Sequence, residues 1–136
     1  LNCRMNPVRR DNLPPRWVSG GGAKYATFSK LGDVQRPAQV FVFVDEAETS
    51  INDGYFAVDH SHTGDPDGQG AARPYYLIDR PAVRHGGGAT FGFADGHAVA
   101  KRWRDPAALR QAGPRTHVGP RNEDARWLLE HATQER

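Results

Sequence analysis

Hydrophobic positions along this chain fall into three patterns, and each predicts a different element. Residues 39–44, Gln-Val-Phe-Val-Phe-Val, form a nearly unbroken β-branched and aromatic run between Pro37 and the Asp45-Glu46 pair. An alternating strand would place a polar residue at every second position, so this run predicts a strand buried on both faces, at the centre of a sheet. The turn residues of 50–54, Ser-Ile-Asn-Asp-Gly, lead into the short apolar segment 55–58, a second strand. In residues 85–103, Phe91 and Phe93 precede Asp95-Gly96, and Ala98 and Ala100 follow it. Asp-Gly suits a two-residue type I′ turn, which would set Phe93 opposite Ala98, Gly92 opposite Val99, Phe91 opposite Ala100 and Thr90 opposite Lys101. Both rings would then lie over alanines on one buried face, while Gly88 and Gly92 leave room on the other for Val99 and Trp103.

The third pattern is helical. Asp105 followed by Pro106 and closed by Gly113 reads as an N-cap, a first-turn proline and a C-terminal glycine around a two-turn helix. Asn122 can cap a last helix whose Ala125, Leu128, Leu129 and Ala132 recur at i, i+3, i+4 and i+7, with Trp127 at the stripe's edge. Between these elements the pattern fails. Residues 1–36 carry Pro7, Pro14, Pro15 and Gly20 to Gly22 and predict loop, with a short element at 25–31. Residues 59–74 and 114–121 read as surface loops.

These elements amount to an α+β domain with a small antiparallel sheet, a C-terminal hairpin, long loops and a terminal helix. The chain divides into a loop-rich connection (1–36), a sheet region (37–104) and a helical C-terminal region (105–136). At 136 residues one domain is expected. The 15 glycines and 10 prolines agree with many irregular connections. A net charge of +2 gives no field for nucleic acid or an anionic membrane, and the basic residues at Arg4 to Arg16 and Lys101 to Arg104, with Trp103 as their single interleaved aromatic, make no aromatic-interleaved binding motif. A solvated surface is expected there, with no nucleic-acid partner. Cys3 is the only cysteine, which excludes an intramolecular disulfide and a multi-cysteine zinc site. No apolar run approaches the ~20 residues of a membrane-crossing helix.

Four groups of residues carry candidate chemistry. Asp45, Glu46, Glu48 and Asp53 put four carboxylates near the end of the apolar run, hard oxygen ligands suited to calcium, although Asp45 and Asp53 can equally cap turns. His60 and His62, with His85 and Asp53, suggest a metal-dependent hydrolase or lyase, yet loops rich in Asp, Gly and His are more often simply hydrated. His85 can be a ligand, a general base or a structural residue. The sequence best supports the last, because the glycines after it allow a tight fold that carries the ring to the 45–54 loop. Trp17, Trp103, Trp127, Tyr75 and Tyr76 suggest a glycan- or surface-binding platform, while the plainer expectation is that Trp103 and Trp127 pack the hairpin on the last helix. No G-x-S-x-G elbow, P-loop or dinucleotide fingerprint is present, and no catalytic residue is assigned.

The string RHGGGATFGFADGHAVAKRW, with nine residues between His85 and Asp95-Gly96, resembles the C-terminal signature of pseudopilin-like proteins, the prepilin-type processing-associated H-x9-DG domain. Upstream, VFVFVDEAETSINDGYFAV resembles that family's segment in which a hydrophobic strand runs into Asp-Glu and then Ser-Ile-Asn-Asp-Gly-Tyr-Phe. NEDARWLLEHAT resembles its terminal helix around Asn-x-Asp-x-x-Trp-Leu, and CRMNP its Tyr-x-Met-Asn-type segment. The resemblance implies a non-enzymatic structural subunit of a type II secretion or pilus-like filament, with His85, Asp95 and Gly96 as its structural motif. Major pseudopilins of type II secretion bind calcium in a C-terminal-region loop, which points to Asp45, Glu46 and Asp53, although the positions do not transfer motif by motif. The family's N-terminal methylation signal and long hydrophobic helix are absent from this chain. It is therefore expected to be a piece of a longer protein, inner-membrane anchored as precursor, periplasmic or at the cell surface when intact. That missing helix would provide its contacts with the membrane and with other pilin-like subunits.

Overall fold

The computed structural model describes residues 1–2, 25–60, 73–110 and 116–135. Its architecture is α+β, two small antiparallel sheets with a C-terminal helix. The hairpin forms where expected but closes over a longer loop. Strands β3 (Gly88–Phe93) and β4 (Ala98–Arg102) pair with Gly92 opposite Ala98, Phe91 opposite Val99 and Thr90 opposite Ala100. Phe93 N–H donates to the His97 carbonyl at 2.9 Å and Gly96 N–H to the Phe93 carbonyl at 3.0 Å. The loop is therefore Ala94, Asp95 and Gly96, and the two-residue turn is corrected by one residue. A type I′ turn needs positive φ at both central residues, whereas here Gly96 alone of the pair has it, at 94°. The Asp95 carboxylate accepts from the His97 backbone N–H at 3.2 Å, a local bond that favours this turn.

One residue of register reverses a face. Phe91 and Phe93 are buried as expected, but Ala98 and Ala100 face solvent, and Val99 and Lys101 share the aromatic side. Trp103 joins that side too, packing edge-on to Phe91 at 5.9 Å between ring centroids. The close approach predicted near the glycines is of backbone: a Cβ on Gly88 would stand 2.3 Å from the Lys101 carbonyl oxygen.

The sheet's centre is β3, flanked by β1 (Phe41–Val44) and β4, so the 39–44 run is corrected from a central strand to an edge. Phe41 lies opposite Phe93, Phe43 opposite Gly92 and Val44 opposite Phe91, with an irregularity between Phe41 and Phe43. That bulge turns Phe41 into the main core and leaves Phe43 64% exposed on the outer face. Val40 and Val42 belong to a separate small cluster with Phe28 and Val34. A continuous apolar run thus serves two clusters and one solvent face. Gln39 falls in a 3-10 turn, Pro37–Gln39.

The second sheet pairs β2 (Tyr75–Leu77) with β5 (Thr116–Val118). The sequence reading missed both, because three-residue strands show too few positions for a period. Residues 55–58 form isolated bridges, Phe56 to Asn2 and Val58 to Leu77, rather than a strand. Asp59 and His60, read as the start of a surface loop, are buried. The short element expected at 25–31 is a 3-10 turn, Leu31–Asp33, with isolated bridging before it.

Helix α1 (Pro106–Leu109) is capped by Asp105, whose side chain accepts from Ala108 N–H, and passes at Arg110 into the C-cap. Gly113 and the loop start at Pro114 lie outside the described residues. Helix α2 (Glu123–Ala132) is capped by the Asn122 side chain, which accepts from Ala125 N–H at 2.8 Å. Its Ala125, Leu128, Leu129 and Ala132 are buried as their spacing predicts. Trp103 and Trp127 meet edge-on at 6.3 Å and Trp127 meets Phe91 at 4.9 Å, packing the hairpin on this helix. The buried Asn2 side chain donates to the carbonyls of Phe41 and Ala132, each at 2.7 Å, and so ties β1 to the end of α2.

Candidate functional site

The motif residues meet where β1 ends and β3 begins. His85 has φ 52°, followed by Gly86 at 76° and Gly87 at 89°, so three consecutive residues are left-handed and the chain folds back sharply. Gly88 N–H closes this turn on the Arg84 carbonyl at 2.6 Å. Arg84 is thereby aimed at the loop after β1. Its guanidinium donates to the Asp45 carboxylate, to Glu48 Oε1 at 2.9 Å and to the Glu46 carbonyl at 3.1 Å. His85 Nε2 stands 3.5 Å from Asp45 Oδ2, within ion-pair range but longer than a hydrogen bond, and the ring is largely exposed. The hydrogen bond and charge of Asp45 hold the Arg84 proton more tightly than usual. The turn therefore brings His85 to the 45–54 loop, and its neighbour Arg84 makes the hydrogen bonds. The sequence reading overlooked Arg84, since a single arginine beside a named histidine carries no periodic signal.

Beneath this surface the same loop is sewn to residues 79–82. Ala82 N–H donates to the Asp45 carbonyl at 2.7 Å and Ala47 N–H to the Arg80 carbonyl at 2.9 Å. The Ser50 hydroxyl donates to Glu46 Oε1 at 2.8 Å and accepts from Arg80 N–H at 3.1 Å. The Arg80 side chain is buried and donates to Thr49 Oγ1 at 2.6 Å and to the Leu109 carbonyl at 3.4 Å. Asp79, also buried, accepts from Ala57 N–H at 2.6 Å through Oδ2, while Oδ1 has no hydrogen-bond partner among the described residues. Burial pushes the Asp79 carboxyl up to about 7, and the nearby charges of Glu46 and Asp53 add to the shift. Glu46 is raised as well, chiefly by burial.

The three carboxylates named as calcium ligands do not converge. Asp45 is held by Arg84, Glu46 by Ser50, and Asp53 Oδ1 accepts from Tyr55 N–H at 2.7 Å in a local turn. Among the described residues no group of three or more His, Cys, Asp or Glu side chains is arranged to hold a metal. His60 is buried with Nδ1 3.2 Å from the Val58 carbonyl and Nε2 3.1 Å from the Leu129 carbonyl, so its nitrogens serve the backbone. His62 lies outside the described residues, as does Trp17.

Nor do the described aromatics form an open platform. Trp127 is stacked by His131 at 4.2 Å on one side and approached by Lys101 Nζ at 5.4 Å, while Trp103 and Tyr75 are buried. Tyr76 is half-buried and tilts against His117 at 4.8 Å.

At the hairpin tip, His97 Nδ1 lies 2.5 Å from Asp95 Oδ1 and its ring stacks on Phe93 at 4.5 Å. The His97 side chain, then its backbone N–H, hold Asp95 below its ordinary value. A cavity of about 600 Å³ opens beside α2, lined in part by His60, His131, Arg36 and Arg126. Burial lowers the His131 proton affinity, and Nδ1 lies 2.8 Å from the Trp127 carbonyl. The cavity draws on several distant segments, so no local motif signals it. The Ser50–Glu46 pair sets a hydroxyl on a carboxylate, but Ser50 is buried and also accepts from Arg80 N–H, so the pair joins the 45–54 loop to residues 79–82.

No family model, curated protein or solved structure matches this chain.

Proposed function

We propose that this chain is the globular domain of a pseudopilin-like protein, a non-enzymatic structural subunit of a type II secretion or pilus-like filament. The observation that carries the reading is the coincidence of its quoted motifs with the joints of the fold. His85 ends beside Asp45 of the Asp-Glu segment, and Asp95-Gly96 turns the hairpin. In the terminal motif Asn122 caps α2, Asp124 binds the end of the hairpin, and Trp127 and Leu128 pack on the core. Residues that resemble one family's motifs therefore do mechanical work here. A filament's outer domain needs that rigidity and no active centre.

In the intact protein the domain would be carried by an N-terminal helix, membrane-anchored in the precursor and packed with other pilin-like subunits afterwards, in the periplasm or at the cell surface. Among the described residues no helix is long and apolar enough to cross a membrane. The test is to read the coding sequence upstream of Leu1. The proposal expects a short basic leader followed by an apolar stretch of about 20 residues. An upstream sequence without such a stretch overturns it.

A further inference from the structure

We propose that the free edge of β4 is a self-association surface, on which a second copy of this chain pairs antiparallel about Ala100. In the hairpin ladder Phe93 bonds to His97, so by alternation Val99 and Lys101 bond inward to β3, and Ala98, Ala100 and Arg102 direct their backbone N–H and C=O groups outward. Among the described residues β4 has a sheet neighbour on one side only. The outward N–H groups of Ala98 and Ala100 make no hydrogen bond among the described residues, and the Arg102 carbonyl accepts only from Lys101 Nζ, at 3.1 Å.

Edges of this kind are usually guarded by a proline, a bulge or outward charges. Here Ala98 and Ala100 are exposed methyl groups that obstruct nothing. Lys101 is turned inward, 5.5 Å from the Trp103 ring and 3.6 Å from Asp124, which leaves Arg102, exposed at the strand's end, as the outward charge of β4. Phe43 and Gly92 continue the outer face beyond these alanines, giving it an apolar, low-relief surface.

Charge selects the occupant and its direction. The strand is preceded by Asp95 at the hairpin tip, ends on Arg102 and is followed by Arg104. Antiparallel pairing of two copies lays each acidic tip beside the other's basic end, whereas parallel pairing would set like ends together. Centring the two-fold on Ala100 puts Ala98 opposite Arg102 and Ala100 opposite itself, so within β4 no like charges face, and Asp105, beyond the strand's end, is turned to cap α1. Centring it on Arg102 would oppose two guanidinium groups. A symmetric pair is thus favoured, in which each copy presents the same patch. This surface does not depend on the filament reading and would stand if the upstream sequence lacked an apolar helix.

Sedimentation equilibrium of the 136-residue chain from about 10 µM to about 1 mM tests it. The mass is expected to rise from 15.0 kDa toward twice that value. A100K sets two ammonium groups face to face on the two-fold and should weaken pairing at least about tenfold, with the thermal midpoint of dilute protein unchanged. A98E faces Arg102 and should tighten it. Amide exchange needs no variant: the Ala98 and Ala100 amides should slow as concentration rises. A wild-type chain that stays monomeric throughout, a folded A100K that dimerises as wild type, or concentration-independent exchange at Ala98 and Ala100 would each overturn the proposal.

Discussion

Asp124, buried in the first turn of α2, accepts the backbone N–H of Arg104 through both carboxylate oxygens, at 3.1 and 2.9 Å. It also takes the Asp105 N–H at 2.8 Å and lies 3.6 Å from Lys101 Nζ. One side chain therefore satisfies two backbone donors where β4 hands the chain to α1, and fixes that corner to the terminal helix. Asp124→Ala would leave those part-buried donors without their acceptor and is expected to cost about 1–3 kcal/mol in urea denaturation, with Asp124→Asn recovering part of the loss. A neutral Asp124→Ala would mean the corner is held by packing alone.

Leu128 is fully buried on the face of α2 that meets the sheet. Leu128→Ala is expected to lower stability by about 2–5 kcal/mol, and truncation after Arg121 by more, measured by thermal unfolding. Unchanged curves would show that the helix does not hold the core.

The hairpin offers two glycine substitutions with different causes. Gly96→Ala forces a side chain onto φ 94° in otherwise open space, and should cost about 1 kcal/mol. Gly88→Ala drives a Cβ to 2.3 Å from the Lys101 carbonyl, so backbone must move and the loss should be clearly larger. Chemical denaturation of the two variants side by side checks the order.

Asp79 makes stability depend on pH. Its carboxyl is raised from 3.8 to about 7, first by burial, so the folded chain holds the proton more tightly than the unfolded one. That contribution is complete below about pH 3.8 and is lost as pH rises toward 7. Asp79→Asn keeps an acceptor for Ala57 N–H without the charge. It should remove this decline and be the more stable form at pH 8, by on the order of 2 kcal/mol. Melting curves between pH 4 and pH 8 that fall in parallel for both proteins would assign the dependence elsewhere.

Calcium is expected to leave thermal unfolding unchanged, because Asp45, Glu46 and Asp53 each face their own protein donor. An ion bound at a hundredfold excess over its dissociation constant would add about 2.7 kcal/mol, an effect that melting in calcium against chelator would reveal.

Local chemistry alone determined part of this protein. Asn122 as a cap, the buried Ala125-Leu128-Leu129-Ala132 stripe and the presence of a hairpin at Asp95-Gly96 were legible because each rests on residues within one or two turns of chain. The sequence also directed attention to His85 and the 45–54 loop, though not to the Arg84 guanidinium that makes the hydrogen bonds there. What tertiary structure decided involves competition between distant segments. The hairpin register turned on whether Asp95 would take a positive φ or accept the His97 N–H, and that single step put Val99 and Lys101 inside and Ala98 and Ala100 outside. The apolar run at 39–44 could not reveal that β3 would claim the sheet's centre, since burial on a sheet depends on which strands flank it. Strands β2 and β5 are separated by 38 residues, counted from Leu77 to Thr116, and neither is long enough to show a period alone. Asp79 and Arg80 carry no local signal of burial, and their partners, Ala57, Thr49 and Leu109, come from segments that only packing brings together.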